Sequence, residues 1–482
     1  MINRKQKKQI DKTEKRCYNM VREMTKGRPM SLIMGFFVPM LLGNIFQQLY
    51  NMVDTIIVGQ YCGVDALAAV GSTGSLNFLV IGFVMGIANG FAIPVAQSFG
   101  ARQIKDMRSF IANGIYLAAL VTVVLTAVTM LFTRPILEIM QTPADIIDMA
   151  YDYIIVIFAG IAVIMLYNYL AFLMRSLGDS KSPLIFLAIA SFANIGFDLL
   201  FICVFNWGVS GAAWATVLAQ LISGVLCFVY VRRKYDILAF EKDEFRIDIH
   251  KINKLCKIGF PMALQFSITA IGSIILQSAV NSLGTGIVAA VTAANKIQNL
   301  VAQPMETMGI TMATYCGQNL GAGLIPRIRK GIHQSLIFTI CYALIAMGAV
   351  CLFGEGLAML FIDSAETLVI ENTAYFLKIN SIFYVVLSVL FLLRNSLQGL
   401  GYSFLPMMAG VSELAARALV SFGFVGMFGF NAVCVASPTA WIFATVLLVI
   451  TYVIKMKKLM RDYRETNKES NEVSSVKPLK AS

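Results

Sequence analysis

The sequence predicts an all-α polytopic membrane protein with twelve transmembrane helices in two six-helix lobes. Of its 482 residues, 58% are hydrophobic and only 14% are charged, against about 25% charged in a typical soluble domain. Twelve apolar stretches, most of them long enough to cross a bilayer, follow one another, and the sequence is duplicated with six stretches in each copy. The stretches cover residues 31–58, 65–98, 107–132, 145–172, 183–204, 209–231, 256–282, 287–318, 331–353, 366–393, 404–429 and 433–454.

The duplication is visible in short matching segments at a nearly constant spacing. Gln97 to Ala101 recurs 221 residues later as Gln318 to Ala322, and Pro183 recurs 223 residues later as Pro406. Each copy holds an even number of spans, so the copies share one orientation and are related by an axis along the membrane normal. We expect a cleft between two lobes that rock to expose it to each side in turn.

The loops between the stretches alternate in charge. Arg102 and Arg394 are among the basic residues of one set of loops, whereas the other set contains Arg134 alone beside several acids. Loops rich in Lys and Arg remain in the cytoplasm, so both termini are expected there, with the protein in the plasma membrane. The predicted parts are a basic tail (1–30), a first lobe (31–231), a linker (232–255), a second lobe (256–454) and a tail (455–482).

Polar side chains follow one face of the first apolar stretch. They recur every three or four residues, which is the spacing of a single helix face. A carboxylate that faces hydrocarbon costs at least ~2.5–3.5 kcal/mol, so we expect the acid of this set to face protein or a water-filled cavity. The set is Asn44, Gln47, Gln48, Asn51 and Asp54.

A second acid, Asp198, lies in the fifth stretch, one helical turn after Asn194 and on the same face. In the alignment of the two repeats, Asp54 corresponds to an apolar residue and Asp198 corresponds to Ser421. The second lobe therefore has neither acid. Two carboxylates at similar depth can share a proton or a Na⁺ ion, with Asn and Thr oxygens as further ligands. The alternative is a pair of buried acids that bond to neighbouring Asn or Tyr side chains without binding an ion.

Other charged residues within the apolar stretches are weaker candidates for a functional role. Glu413 and Arg417 are four residues apart, which suggests a structural ion pair. Glu306 follows Pro304 and either faces the cleft or has a structural role. We therefore take as candidate cleft residues Asn51, Gln265 and Glu306.

Several functions are disfavoured by what the sequence contains. Its nine cysteines form no Cys-x-x-Cys pair, and neither His250 nor His333 has a neighbouring ligand, which disfavours a metal centre or a catalytic dyad. No phosphate-binding loop is present, so any uphill transport would use an ion gradient. We predict a monomeric secondary transporter in contact with membrane lipids, not an enzyme, with no cofactor and no nucleic-acid partner.

The sequence closely resembles the multidrug and toxic compound extrusion (MATE) family over about residues 25–457. The resemblance rests on the twelve spans, the duplication and three motifs that occur in order: Gln47-x-x-Tyr50-Asn51-x-x-Asp54, Arg175-Ser176-x-Gly178-Asp179 and Asn194-x-x-x-Asp198.

The resemblance implies antiport of organic cations and amphipathic drugs against H⁺ or Na⁺, with an ion site in the first lobe. Ala171 stands where some relatives have Asn, which leaves the identity of the ion open. An acid that some relatives carry early in span seven is absent here. Four of the implied site residues, Asp54, Asn194, Asp198 and Thr216, would be the Na⁺ ligands. The full implied site is Gln47, Asp54, Tyr153, Asn168, Asn194, Asp198 and Thr216.

A flippase for a lipid-linked saccharide is the alternative within the same superfamily. Such flippases often have additional spans and a basic cavity that binds pyrophosphate. Twelve spans and an acidic first lobe favour the drug exporter.

Overall fold

The computed structural model describes residues 23–140, 142–359, 362 and 366–475, and it assigns no β-strand within them. The helices, in order, are α1 (Pro29–Tyr61), α2 (Val64–Gly100), α3 (Ile104–Ile139), α4 (Ile147–Ala159), α5 (Ile161–Ser176), α6 (Lys181–Asp198), α7 (Gly208–Lys234), α8 (Ile249–Asn281), α9 (Thr285–Gly321), α10 (Ile325–Ala358), α11 (Thr367–Ile382), α12 (Tyr384–Gly399), α13 (Phe404–Gly423), α14 (Val425–Phe428) and α15 (Phe430–Ser475).

Nine helices of the described ranges are each long and apolar enough to cross a membrane, and two bent pairs raise this number to eleven. The pair α4–α5 bends by 49° and the pair α11–α12 by 56°, at the repeat-equivalent positions Gly160 and Phe383. Helix α9 has 37 residues, enough to cross, but polar side chains such as Lys296 and Glu306 lower its hydropathy. With α9 the number of spans is the predicted twelve.

Two hydrophobic cores divide the helices into two lobes. The first core is formed mainly by α2 to α7 and the second mainly by α9 to α15. A small apolar cluster of Ile93, Ile258, Met262 and Ala313 lies between them. The last helix runs on to Ser475, well beyond the end predicted for its span at 454.

Helices α1 and α8, the first helix of each repeat, both cross between the lobes. Ile33 and Phe36 near the start of α1 lie in the second core, whereas Val58 near its end lies in the first. In α8 the order is reversed, with Leu255 in the first core and Val280 in the second. The sequence boundary at residue 31 assigned all of α1 to the first lobe, but its first half packs against the second.

The first half of α8 packs closely against α2, and glycines make this contact possible. A Cβ atom on Gly86 would lie 2.4 Å from the Cα of Ala263, and one on Gly90 would lie 2.4 Å from the Cα of Gly259. No side chain fits at such distances. The small residues of α2 therefore bring its backbone into direct contact with that of α8, the first helix of the second repeat.

Asp179 attaches the linker between the repeats to the first lobe. Its Oδ1 accepts hydrogen bonds from the backbone N–H groups of Lys181 and Ser182, both at 3.0 Å, at the start of α6. Its Oδ2 accepts from the hydroxyls of Ser182 at 2.6 Å and Tyr235 at 2.8 Å. Burial, followed by the charge of Asp179, raises the pKa of Tyr235, so this phenol remains a donor at physiological pH.

Replacing Asp179 with Ala should lower the stability of the protein by roughly 2–4 kcal/mol, because the first turn of α6 and the Tyr235 hydroxyl both lose their acceptor. Tyr235→Phe should cost about 1 kcal/mol, because three donors to Asp179 remain. Thermal unfolding in detergent measures both. Equal melting temperatures for wild type and Asp179→Ala would contradict the anchoring role.

Candidate functional site

Two carboxylates face each other inside the first lobe. Asp54 lies on α1, and Asp198 is the last residue of α6 and is fully buried. The two carboxyl groups are close enough to interact electrostatically. Among the described residues, neither oxygen of Asp198 has a hydrogen-bond donor, and Oδ1 of Asp54 also lacks one. Two ionised carboxylates cannot donate to each other, so this contact is incomplete without a proton or a cation.

Local backbone structure contributes to the position of Asp198. Directly after it the chain forms a π-helical segment, Leu199–Val204, and such wider turns occur often at functional sites. Asn194 lies one turn earlier and is 1% exposed, and neither of its amide atoms has a partner. Asn194 therefore presents a free oxygen beside the two acids.

Two tyrosines adjoin the acids. Tyr153 on α4 and Tyr50 on α1 are both close enough to interact electrostatically with Asp54 and Asp198. The Tyr50 hydroxyl is also close enough to interact with the side chains of Gln47 and of Gln220 on α7. Four helices thus contribute to one cluster, which we call the acid site: Asp54, Asp198, Asn194, Tyr153, Tyr50, Gln47 and Gln220.

Sequence reasoning missed Gln220 as a site residue and did not assign a role to Tyr50. Gln220 lies one turn after Thr216, on the same face of α7, and its side-chain oxygen is buried without a partner. This spacing is a signal that could have identified it. Tyr50 belongs to the motif that contains Gln47 and Asp54, but its hydroxyl could not be placed without knowing that α7 lies opposite.

Other predicted residues have different surroundings. The Asn168 amide donates to the carbonyl of Ile164 in its own helix at 2.8 Å. Gln265 is buried and accepts a hydrogen bond from Gln398 at 2.6 Å. Thr216 is half-buried and Asn51 is exposed. Their functional roles stay predictions.

The unpaired atoms of the acid site are predominantly acceptors. They include Asp198 Oδ1 and Oδ2, Asp54 Oδ1, Asn194 Oδ1 and Gln220 Oε1. Carboxylate and amide oxygens suit hard cations, and a proton shared between the acids would also supply the missing donor. No cluster of three or more His, Cys, Asp or Glu side chains suited to a metal ion occurs in the described ranges.

The second lobe contains a different group of buried charges. Arg394 on α12 is 5% exposed and forms an ion pair with Glu413 on α13, and Arg417 lies 3.9 Å from the same carboxylate. Glu306 on α9 is close enough to interact with Arg394. The assignment of Arg394 to a cytoplasmic loop was wrong. Charge counting along the chain did not reveal that Glu413, nineteen residues later, neutralises it inside the lobe.

The lobes are closed at the end of the bundle where the basic loops lie, which we call the basic end. Gln97 Nε2 in the first lobe donates to the carbonyl of Gly399 in the second at 3.1 Å. Gln318 Nε2 in the second lobe donates to the carbonyl of Ser176 in the first at 2.8 Å. The duplication relates these two hydrogen bonds to each other. The donor Gln97 corresponds to the donor Gln318, and the acceptor Ser176 corresponds to the acceptor Gly399.

Two glycines of this contact are also repeat-equivalent. A Cβ atom on Gly100 would lie 1.9 Å from the carbonyl oxygen of Gln318, and one on Gly321 would lie 1.8 Å from that of Gln97. The helix ends therefore touch through their backbones. Any side chain at either glycine would separate them.

Toward the opposite end the lobes are less closely packed. The carbonyl of Leu79 accepts a long hydrogen bond from Ser267, at 3.4 Å. Beyond it, Gly71 and Gly74 of α2 have no atom within 4 Å of their Cβ positions. The close backbone contacts of the basic end are thus not repeated at Gly71 and Gly74.

Comparisons with known proteins agree with this architecture. The chain is 29% identical over 352 residues to probable multidrug resistance protein YoeA of Bacillus subtilis, covering 72% of this chain and 75% of that protein. It is 26% identical to probable multidrug resistance protein NorM of Thermotoga maritima, covering 81% and 84%. A solved structure described as an outward-facing conformation of a multidrug resistance MATE family transporter superposes with a TM-score of 0.84 at 21% identity, covering 91% and 98%.

The family model MatE matches residues 39–200 and 261–423, one match in each repeat. Together the two matches cover more than half of the chain, and both relatives are aligned over most of their length. Twelve helices in two lobes, with the lobes closed at one end, are the arrangement expected of a transporter rather than an enzyme. The chain belongs to the MATE family of multidrug transporters.

Proposed function

We propose that this protein is an antiporter of the plasma membrane that exports organic cations and amphipathic drugs in exchange for H⁺ or Na⁺. The observation that carries this proposal is the contact between Asp54 and Asp198, whose facing oxygens have no donor. Such a pair needs a cation or a proton, and it lies inside the lobe rather than on its surface.

The basic end is the cytoplasmic end in this proposal, because Lys and Arg accumulate on the cytoplasmic side. The contacts of the basic end then close the protein toward the cytoplasm, and in this proposal the cleft between the lobes opens to the outside. Ions from outside can reach the acid site, and a drug in the cleft can leave.

Helix α1 connects the acid site to the second lobe. It carries Asp54 in its outer half, and its first half packs in the second core. Near its middle, Asn44 Nδ2 donates to the Thr307 hydroxyl on α9 at 2.9 Å. A change in how Asp54 packs against Asp198 therefore alters the contacts of α1 with both lobes.

The coupling between ion binding and drug binding follows from the charge of the two carboxylates. When a proton or Na⁺ occupies the acid site, the repulsion between the two carboxylates falls and α1 can approach α6. The cleft then becomes less negative and binds a cationic drug more weakly. Release of the ion to the cytoplasm restores the negative charge for the next drug molecule.

The flippase alternative is not favoured. Similar proteins are named as multidrug resistance proteins, and two unpaired carboxylates in the first lobe would repel a pyrophosphate group.

Replacing Asp198 with Asn should reduce ion-driven drug efflux at least ~10-fold, because the neutral amide no longer requires a cation. The measurement is dye accumulation inside everted vesicles, which an exporter loads from the medium, under an imposed Na⁺ or H⁺ gradient. The matched control is Asp152→Asn: this exposed acid is next to Tyr153 on α4 but points away from the site, so efflux should remain normal. Full efflux by a correctly inserted Asp198→Asn protein would refute the ion site.

Drug and ion should weaken each other's binding by the same factor, which is typically about 5–150-fold for linked sites. In detergent, the drug affinity of the wild type should therefore fall as the concentration of the coupling ion rises. Asp54→Asn should flatten this dependence. A wild-type affinity that ignores both pH and Na⁺ would rule out the mechanism, even for a functional exporter.

Gly100→Val should prevent closure of the basic end, because its side chain would overlap the Gln318 backbone. A cysteine introduced at Ser176, which is 2% exposed, should then react with a membrane-impermeant maleimide from the cytoplasmic side, in a background without the native cysteines. Gly74→Val is the control, because nothing lies near its Cβ position. Protection of residue 176 in the Gly100→Val protein would argue against this contact as the closure.

A further inference from the structure

A cavity of about 430 Å³ lies at the basic end of the second lobe, between the start of α10 and the last helix, α15. The predicted ninth span begins at residue 331 and the twelfth ends at residue 454, so the cavity lies where the protein leaves the membrane. None of the described residues that line it is acidic. Four of them are basic: Arg329, Lys457, Arg461 and Arg464.

These four cations are available to bind an anion, because all of them are exposed. The Nε atom of Arg461 lies 3.7 Å from Asp462 and 3.9 Å from Glu465 on its own helix, and neither distance is that of a hydrogen bond. The other three cations of the cavity form no ion pair with an acid in the described ranges. Like charges around one cavity repel each other, so an anion between them would be stabilising.

The lining changes from apolar to basic along α15. Its first members are Tyr452, Val453 and Met456, and the basic members follow over the next two turns, with Met460 among them. They recur at the spacing of one helix face. Val453 is 41% exposed, and Arg329 of α10 is close enough to interact electrostatically with Tyr452. A phospholipid has the same order, with acyl chains in the membrane and a phosphate at its boundary.

The basic part of α15 is held against the second lobe. Leu459 and Tyr463 lie beyond the predicted end of the span, and both pack against the second core. Met456 is 5% exposed, and Lys455 Nζ lies 4.8 Å from the centre of the Tyr402 ring. The cations of α15 therefore project from a helix whose position is fixed by packing, not from a free tail.

We propose that this cavity binds the phosphate headgroup of one anionic phospholipid of the adjacent leaflet, with an acyl chain along Val453. Arginine and lysine N–H groups are strong donors to phosphate oxygens, and basic pockets at the membrane boundary bind anionic headgroups. The lipid would bridge α10 and α15, in the lobe that does not contain the acid site. This inference goes beyond the transport function and does not depend on it.

The test is native mass spectrometry of the purified full chain with phosphatidylglycerol or with phosphatidylcholine of the same acyl chains. Wild type should retain one phosphatidylglycerol under conditions in which it does not retain phosphatidylcholine. The double variant Arg329→Gln with Arg464→Gln should retain phosphatidylglycerol at least ~10-fold more weakly, because each cation at the boundary contributes to the attraction. Val453→Gln leaves the charge unchanged and should also weaken retention, because it places a polar group against the acyl chain.

The matched control is the double variant Arg232→Gln with Arg233→Gln. It removes the same charge from an exposed part of α7 at the basic end, but neither residue lines this cavity, so retention should be unchanged. An equal loss in the control and the test variant would overturn the proposal, because net charge alone would then explain the binding. Undiminished retention by a folded Arg329→Gln and Arg464→Gln protein would also overturn it, as would equal retention of both lipids by wild type.

Competition with glycerol phosphate separates a lipid site from a site for free phosphate. Roughly 100-fold excess should leave phosphatidylglycerol bound, because buried acyl carbons add to the affinity of the lipid. Displacement at equal concentration would overturn the assignment to a lipid. Asp198→Asn should retain phosphatidylglycerol as the wild type does, so a failure of the acid site in efflux is distinguishable from a failure of this site.

Discussion

The contact between Asp54 and Asp198 is the constraint from which the arrangement of the first lobe follows. Two carboxylates that are close enough to interact repel each other unless a proton or cation lies between them. Buried acceptors without donors surround them, including the amide of Asn194. A site that served only stability would contain donors for these oxygens. No donor of the described residues is bonded to these oxygens, which favours an occupant that arrives and leaves over a permanent structural bond.

Helix α1 gives this local contact a wider effect. It carries one of the two acids, yet Ile33 and Phe36 pack in the second core and Asn44 bonds to Thr307 of the second lobe. Its repeat partner α8 crosses in the opposite sense. The lobes are thus joined by two exchanged helices as well as by the close contact at the basic end. A shift of α1 at Asp54 must be accommodated at the lobe interface, because tightly packed helices do not absorb such a shift locally.

The sequence predicted the features that depend on hydropathy and periodicity. The twelve spans, the duplication and the two acids were recognisable because a carboxylate in an apolar stretch stands out. Features that depend on which helices pack against each other could not be recognised from the sequence. Gln220 could be placed beside Tyr50 only once α7 was known to face α1, and Arg394 resembled a loop residue until Glu413 was found beside it. The exchange of α1 into the second core was also missed, because an apolar face does not specify which core it joins.

The two repeats have diverged in their interiors but remain matched where they touch. At the basic end, Gln97 and Gln318 make equivalent bonds, and Gly100 and Gly321 make equivalent backbone contacts. The two lobes close against each other at the basic end, so their contact surfaces must be complementary. A substitution in the contact surface of one repeat would leave a gap between the lobes. An ion site enclosed within a single lobe has no such requirement. Asn194 and Asp198 of the first lobe could therefore correspond to Arg417 and Ser421 in the second without affecting closure, and among the described residues the unpaired buried atoms are acceptors on Asp198 and donors on Arg417.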